Sequence, residues 1–341
     1  MAKVKPAPEW AKNARILSAV YEDIAFLKRT REEFGATVVL LYCSPEVTNG
    51  WCPRGTWIHV KDFIQEAHKN GLKVICYYDT TLVEESFYSE ADHANWVQKN
   101  EHGAPQHYQP AHIIPQRYAY CFNSPWSDHV IGIVKRYFAS GADGIFLDNP
   151  QYYSFTGKTC FCDYCKERFK KETGRSILFA SDDARTDWLS QCISEHVFRI
   201  NSSIEYVSEG SSLVITCNTS GSDPTRSLST LGQSENVLFC EIVTGEKGAI
   251  DKLNKDRKMF LNKPLWVILT EPPGSQKWSK DINAATKDID SLLGTVFNIN
   301  ACPMVWSDIP SQDPDKPGFT GLSIYREPVL AEVVKKYFSR K

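Results

Sequence analysis

Ser124 to Asn149, SPWSDHVIGIVKRYFASGADGIFLDN, is the stretch on which the fold turns. Ser124 can cap a helix, Pro125 suits its first turn, and Val130, Ile131, Val134, Tyr137 and Phe138 fall on one face. The helix runs to Ser140 and Gly141 ends it. Gly144–Leu147 then reads as a short, unbroken apolar run, as expected of a strand covered on both faces, and it closes on Asp148-Asn149. A helix feeding a doubly buried strand is one unit of a parallel β/α repeat.

Outward from this unit, seven more apolar runs read as strands. They are Ala36–Tyr42, Lys73–Tyr78, Tyr118–Phe122, Leu213–Cys217, Val237–Cys240, Leu265–Leu269 and Pro303–Trp306. Helical patterns lie between most of them: Tyr21–Phe34 stopping at Gly35, His59–Asn70 at Gly71, Ala184–Glu209 at Gly210, Asp281–Asn298, and Glu327–Phe338. Eight such alternations predict an α/β fold, a (β/α)8 TIM barrel with long loops after strands 2 and 4, in one catalytic domain over 1–341. An open doubly wound sheet would want a glycine-rich turn after its first strand, and none is there.

Composition narrows the function. Hydrophobic residues are 42% and charged residues 23%, ordinary for a soluble globular protein, and the net charge of −2 leaves no basic stripe for nucleic acid. Basic residues bunch only at Lys335, Lys336, Arg340 and Lys341. Met1–Trp10 lacks the apolar segment of a signal peptide, and no apolar run approaches the ~20 residues of a membrane span. The 11 cysteines are an odd number, and Cys43, Cys76, Cys217 and Cys240 sit inside apolar runs. Reduced thiols in a cytoplasmic protein fit this better than a disulfide frame. The 9 Trp, 15 Tyr and 17 Phe offer ring faces on which the C–H faces of sugars can stack.

In such barrels the chemistry sits at the C-terminal ends of the strands. There the sequence places Tyr77-Tyr78-Asp79, Asn123, Asp148-Asn149, Asn218, Glu241, Thr270-Glu271 and Trp306-Ser307-Asp308. Glycoside hydrolysis needs two carboxyl groups flanking the scissile bond. Asp148, anchored by a buried strand, suits a nucleophile; Glu241, two strands further round, suits the acid/base. Tyr78, Asp79, Asn123, Asn149, Tyr152, Asn218, Glu271, Trp306 and Asp308 are the substrate-binding candidates. Trp51, Trp57, Tyr153 and Trp278 join Tyr152 as stacking candidates in loops. Each of these carboxylates could equally pair with a lysine or arginine or cap a helix, and each ring could be packing.

Several stretches carry a family resemblance: Cys121-Phe122-Asn123-Ser124-Pro125, Gly141 to Asn149, and Cys160-Phe161-Cys162-Asp163-Tyr164-Cys165 with Phe169 and Gly174 behind it. Asn95-Trp96-Val97 and Gly103 add to it upstream. Together they resemble a family of TIM-barrel glycosyl hydrolases related to α-L-fucosidases and β-galactosidase-like barrels, over about Thr37 to Tyr325. The resemblance implies a carbohydrate substrate and a strand-4 aspartate, here Asp148, as nucleophile of a retaining reaction. Many relatives carry further domains. This chain stops soon after strand 8, which favours a small glycoside or a chain-end sugar over polymer binding.

Cys160, Cys162 and Cys165 form C-x-C-x-x-C. A structural zinc needs a fourth ligand, from Cys121, Cys52 or a histidine; otherwise the thiols simply pack a loop. No catalytic cofactor is expected. Thr80–Arg117 is long for a strand-to-helix connection, and its histidines, His93, His102, His107 and His112, follow no metal-binding spacing. A non-catalytic carbohydrate-binding barrel is the alternative function. A metal-dependent hydrolase or lyase ranks last, because almost no histidine falls at a strand end. The sequence leaves the oligomeric state open, a homo-oligomer through the outer helices being compatible with it.

Overall fold

The computed structural model describes residues 4–45, 55–108, 116–204, 213–219, 228–243, 258–270, 277–311 and 318–339. Eight parallel strands make a nearly closed barrel: β1 (Ile16–Val20), β2 (Val38–Tyr42), β3 (Lys73–Asp79), β4 (Gly144–Asp148), β5 (Val214–Cys217), β6 (Leu238–Val243), β7 (Leu265–Thr270) and β8 (Cys302–Val305). Strand β8 returns to β1 through Ile16↔Met304 and Leu17↔Val305. The remaining seam, between β5 and β6, has no ladder and is closed largely by side chains. Asn236 exchanges bonds with Ile215, its Oδ1 accepting the Ile215 N–H at 2.9 Å, and Glu235 Oε2 accepts the Cys217 N–H at 2.8 Å.

The principal helices are α1 (Leu27–Glu32), α2 (Trp57–Lys69), α3 (Trp126–Ala139), α4 (Asp163–Thr173), α5 (Asp182–Ile204), α6 (Ile282–Asn298) and α7 (Pro328–Phe338). Strand side chains alternate between two cores. Val38, Ile75, Phe146, Phe239, Trp266 and Met304 fill the barrel, while Val39, Val74, Ile145 and Val267 meet the helix faces carrying Phe63, Val130, Val134 and Leu293. Each such side chain contributes roughly 1.5–3 kcal/mol by leaving water. A Cβ on Gly144 would lie 2.6 Å from Ile75 Cδ1 and 2.7 Å from Val214 Cβ, so β4 approaches its neighbours as only glycine allows. The N-terminal turn Glu9–Asn13 plugs the lower end: Trp266 Nε1 donates to the Ala11 carbonyl at 2.9 Å, and Trp10 packs on Trp266.

Several sequence expectations need correction. The first barrel strand is Ile16–Val20, not Ala36–Tyr42, and Tyr118–Phe122 is not a barrel strand. Arg117–Ala119 instead pairs antiparallel with Leu82–Glu84 and His107–Tyr108 in a small sheet set between β3 and α3. Tyr118–Phe122 is buried and apolar throughout, so it carries the same local signal as a barrel strand. The two exchanges cancel, and Asp148 remains on the fourth strand and Glu241 on the sixth. The first long connection therefore follows β3 in barrel order. The helix expected over Tyr21–Phe34 is a 3-10 turn, Tyr21–Phe26, leading into α1.

Candidate active site

The register Asp79↔Asp148 sets the ends of β3 and β4 at one level, and the alternation points both side chains inward with Tyr77. Asp148 is held on every side. Its Oδ2 accepts from Tyr77 Oη at 2.5 Å and from Asn149 Nδ2 at 3.2 Å; its Oδ1 accepts from the Asn149 N–H and from Asn218 Nδ2, each at 2.9 Å. Asn149 has a φ of 50°, a left-handed conformation that asparagine tolerates better than most residues. Its amide also donates to Asp79 Oδ2 at 2.8 Å. Asp79 spends its other oxygen on the N–H groups of Thr81 and Leu82, both at 2.9 Å, and so holds the turn that leaves β3.

Glu241 faces Asp148 across Asn218. Its Oε2 accepts from Asn218 Nδ2 at 3.1 Å and its Oε1 from Thr270 Oγ1 at 2.9 Å. One amide nitrogen thus serves both carboxylates, and the 2.9 and 3.1 Å bonds cap the Asp148 Oδ1 to Glu241 Oε2 distance at about 6 Å. Asn218 is buried, and its own Oδ1 has no protein partner among the described residues. An aromatic wall stands beside the acids: Tyr42 stacks on Tyr77 with centroids 4.4 Å apart, and Trp306 leans on Tyr42 at 5.4 Å. Trp306 Nε1 has no protein partner among the described residues either.

Asp79, Asp148, Asn149, Asn218, Glu241 and Trp306 therefore come together at the mouth. Three candidates go elsewhere. Tyr78 has the opposite parity from Tyr77 and packs edge-on to Tyr137 among the helices, where burial pushes its phenol well above the ordinary range. Tyr152 is buried edge-on to Phe122, its hydroxyl 3.9 Å from Cys121 Sγ. Asn123 lies beside the cysteines, its Nδ2 3.2 Å from Cys165 Sγ and its Oδ1 accepting from Arg168. Trp57 and Trp278 pack inside the protein, against Tyr137 and Asp288. Glu271, Trp51, Cys52 and His112 lie outside the described residues, as does the side chain of Asp308, whose backbone opens the strand Asp308–Ser311. Tyr77 and Thr270 were not among the candidates. Period-two alternation back from Asp79 would have found Tyr77.

Away from the mouth, Cys121, Cys160, Cys162 and Cys165 converge, all buried, with their sulfurs within 4.8 Å of one another. Cys121 Sγ lies 3.5 Å from both Cys162 Sγ and Cys165 Sγ, and the Asn123 N–H points at Cys121 Sγ. Burial pushes the thiols of Cys121 and Cys165 well up; at Cys160 it is outweighed by hydrogen bonds from the other three, which bring that thiol well below the ordinary range. None of the ten described cysteines is paired in a disulfide.

The fold is that of a (β/α)8 barrel, and solved structures superpose on it. Residues 45–149 match the model of the family described as Hypothetical glycosyl hydrolase 6; the matched span includes Asp79, Cys121 and Asp148. The chain superposes on the PgaB (BpsB) glycoside hydrolase domain from Bordetella bronchiseptica with a TM-score of 0.68 and 11% identity, covering 96% of this chain and 99% of that one. For a β-galactosidase from Bacillus circulans sp. alkalophilus the TM-score is 0.65 at 12% identity, covering 96% of this chain and 56% of that one. For a cycloisomaltooligosaccharide glucanotransferase from Paenibacillus sp. it is 0.57 at 13% identity, covering 79% and 40%. The chain thus spans about half the length of these last two proteins. No curated protein matches it in sequence. Among the described residues no helix is long and apolar enough to cross a membrane.

Proposed function

We propose that the protein is a retaining glycoside hydrolase acting on a small glycoside or a chain-end sugar. Asp148 attacks the anomeric carbon, and Glu241 protonates the leaving oxygen and then deprotonates the incoming water. One observation carries this reading: the Asn218 amide bridges the two carboxylates. The resulting separation suits the ~5–5.5 Å of retaining enzymes better than the ~6.5–9.5 Å that leaves room for a water in inverting ones. Asp148, fixed by four donor groups, suits the attacking role, and Glu241, with two, keeps more freedom to move a proton. Asp79 is the weaker candidate for the acid, because one of its oxygens is already committed to backbone N–H groups.

The cysteine cluster supports a structural zinc. A tetrahedral ion with Zn–S bonds of ~2.3 Å places its sulfurs ~3.8 Å apart. The four thiols, two pairs of which lie at 3.5 Å, need only small adjustments to reach that. The ion would tie Cys121 to the loop after β4 and take no part in the reaction. Free thiols throughout the described residues favour a reducing, cytoplasmic setting.

The test is a panel of aryl α- and β-glycosides, with the anomer of the first-formed product read by NMR. Turnover with retention is expected, with Asp148→Asn folded but inactive and azide restoring turnover to Asp148→Ala as a glycosyl azide. Full activity in Asp148→Asn would end the assignment. Sugar binding without turnover would instead favour a carbohydrate-binding barrel.

A further inference from the structure

The loop that leaves Asp148 is held firmly yet carries exposed rings. Buried amides from the segment after β3 hold its backbone: Gln98 Oε1 accepts the Tyr153 N–H at 2.8 Å and Gln98 Nε2 donates to the Gln151 carbonyl at 3.0 Å. Gln106 Oε1 accepts the Thr156 N–H and its Nε2 donates to the Gly157 carbonyl, both at 2.9 Å, while Asn100 Nδ2 donates to the Thr156 carbonyl. Gln98 and Gln106 are fully buried, so these bonds face little competition from water. The far end of the loop runs into Cys160 and Cys162. A backbone so well anchored could have turned its apolar side chains inward. Phe155 is instead 40% exposed, stacked on Tyr153 with centroids 4.4 Å apart and planes 17° apart, and it meets Tyr108 at 5.2 Å.

Chain connections tie the rings to the acids from two sides. Tyr153 follows Asp148 by five residues. From the other side, Asp79 holds the turn into Leu82–Glu84; Glu84 pairs with Arg117 and Arg117 with Tyr108. Two strand spacings, about 10 Å, therefore carry the chain from Glu84 to Tyr108. The Arg117 guanidinium senses Asp79, Tyr77, Glu84 and Tyr108, so the mouth and the rings share its surroundings.

We propose that Tyr153, Phe155 and Tyr108 form a stacking platform for the sugar units next to the chain-end residue held between Asp148 and Glu241. The proposal rests on the glycosidase reading for its direction and deepens it: the substrate is then an oligosaccharide or polysaccharide, not an isolated small glycoside. Ring faces fit the C–H faces of pyranoses, and a fixed backbone lowers the ordering cost of binding.

Affinity electrophoresis tests this without requiring turnover. Wild-type protein and the Tyr153→Ala/Phe155→Ala double variant are run in native gels containing soluble starch, dextran, galactan or mixed-linkage β-glucan. The expected result is retardation of the wild type by at least one polymer and, for the variant, an affinity about tenfold weaker, as two lost ring contacts imply. The variant should keep wild-type thermal stability, since the rings are surface groups. In kinetics it should keep its rate on an aryl monoglycoside and lose about tenfold in kcat/KM on the oligosaccharide. Equal retardation of both proteins, or none of the wild type by any polymer, overturns the platform. Loss of retardation in a protein that cleaves no glycoside would keep the platform and remove the Asp148–Glu241 assignment instead.

Discussion

Glu235 stands where the barrel seam is closed by side chains, and replacing it with glutamine should change how stability depends on pH. The residue is fully buried; its Oε2 accepts the Cys217 N–H, and its Oε1 has no protein partner among the described residues. Burial pushes its carboxyl up to about 8 from the usual 4.5, and the Cys217 N–H and Lys263 charge pull it back only in part. Lys263 donates to the carbonyls of Gly232 and Glu235, not to the carboxylate. Between those two values the folded chain keeps a proton that the unfolded chain has released. The stabilisation is therefore complete below about pH 4.5 and is lost as pH rises towards 8. Integrated from pH 5 to 8, with each pH unit worth about 1.4 kcal/mol where the difference is a full proton, the loss is about 3–4 kcal/mol. Glutamine cannot titrate, keeps the oxygen that Cys217 needs, and sets an N–H2 where the protonated acid had its O–H. Urea unfolding followed by circular dichroism at pH 5, 6, 7 and 8 should show Glu235→Gln close to wild type at pH 5 and more stable by about 3–4 kcal/mol at pH 8. Two stability curves running parallel across that range would refute the buried, protonated carboxyl. Cys217 immediately precedes Asn218, so the same seam sets the height of the amide between Asp148 and Glu241.

Tyr77→Phe removes a 2.5 Å hydrogen bond to Asp148 and should lower kcat about tenfold or more, at ~1.5–3 kcal/mol for a bond to a charged group, while Tyr78→Phe leaves kcat alone. Steady-state kinetics on one responsive glycoside decide it, and equal effects would contradict the inward and outward assignment. Elemental analysis of purified protein should give one zinc per chain, and Cys165→Ser should lose it and melt several degrees lower; zinc-free, fully stable wild type would leave only packed thiols. Gly144→Ala should cost about 1–3 kcal/mol in chemical denaturation, because its Cβ has no space between Ile75 and Val214. A neutral result would mean that the strands can separate there.

How much of this was legible beforehand depends on what each sequence signal reports. An unbroken apolar run reports burial on both faces and says nothing about which sheet buries it. Tyr118–Phe122 and Ile16–Val20 show the consequence. The first is apolar throughout yet pairs partly in the side sheet, whereas the second carries Ser18, whose Oγ accepts the Ser307 N–H at 2.9 Å, and was passed over. Glycine punctuation proved more local and so more reliable: Gly35, Gly71 and Gly141 have positive φ where helices stop, and Gly210 lies outside the described residues. The cysteine motif gave three ligands by spacing. The fourth thiol of the cluster, Cys121, lies just after the side-sheet strand Arg117–Ala119, far from the motif in sequence, and no spacing rule could choose it over Cys52 or a histidine.

The acids at the mouth were found for a different reason. A carboxylate directly after a buried strand has no water at its backbone and must face either the barrel mouth or the helix layer, and parity decides between them. Gly144, Phe146 and Asp148 share one parity; Ile145 and Leu147 share the other. The same count places Tyr77 with Asp79 and sends Tyr78 to Tyr137. Choosing Tyr78 over Tyr77 treated nearness to the strand end as the criterion, when only the even-numbered steps back from an inward residue reach the pocket. For Asn218 and Glu241 nearness and parity coincide, each being an inward position at its strand end, after Val214 and Thr216 on β5 and Phe239 on β6. A one-residue slip of β6 would carry Glu241 out of the pocket. The ladder to β7, from Leu265↔Leu238 to Thr270↔Val243, fixes its register on one side, while on the other Asn236 and Glu235, just before the strand, tie it to β5 through their buried side chains and so set Glu241 against Asn218.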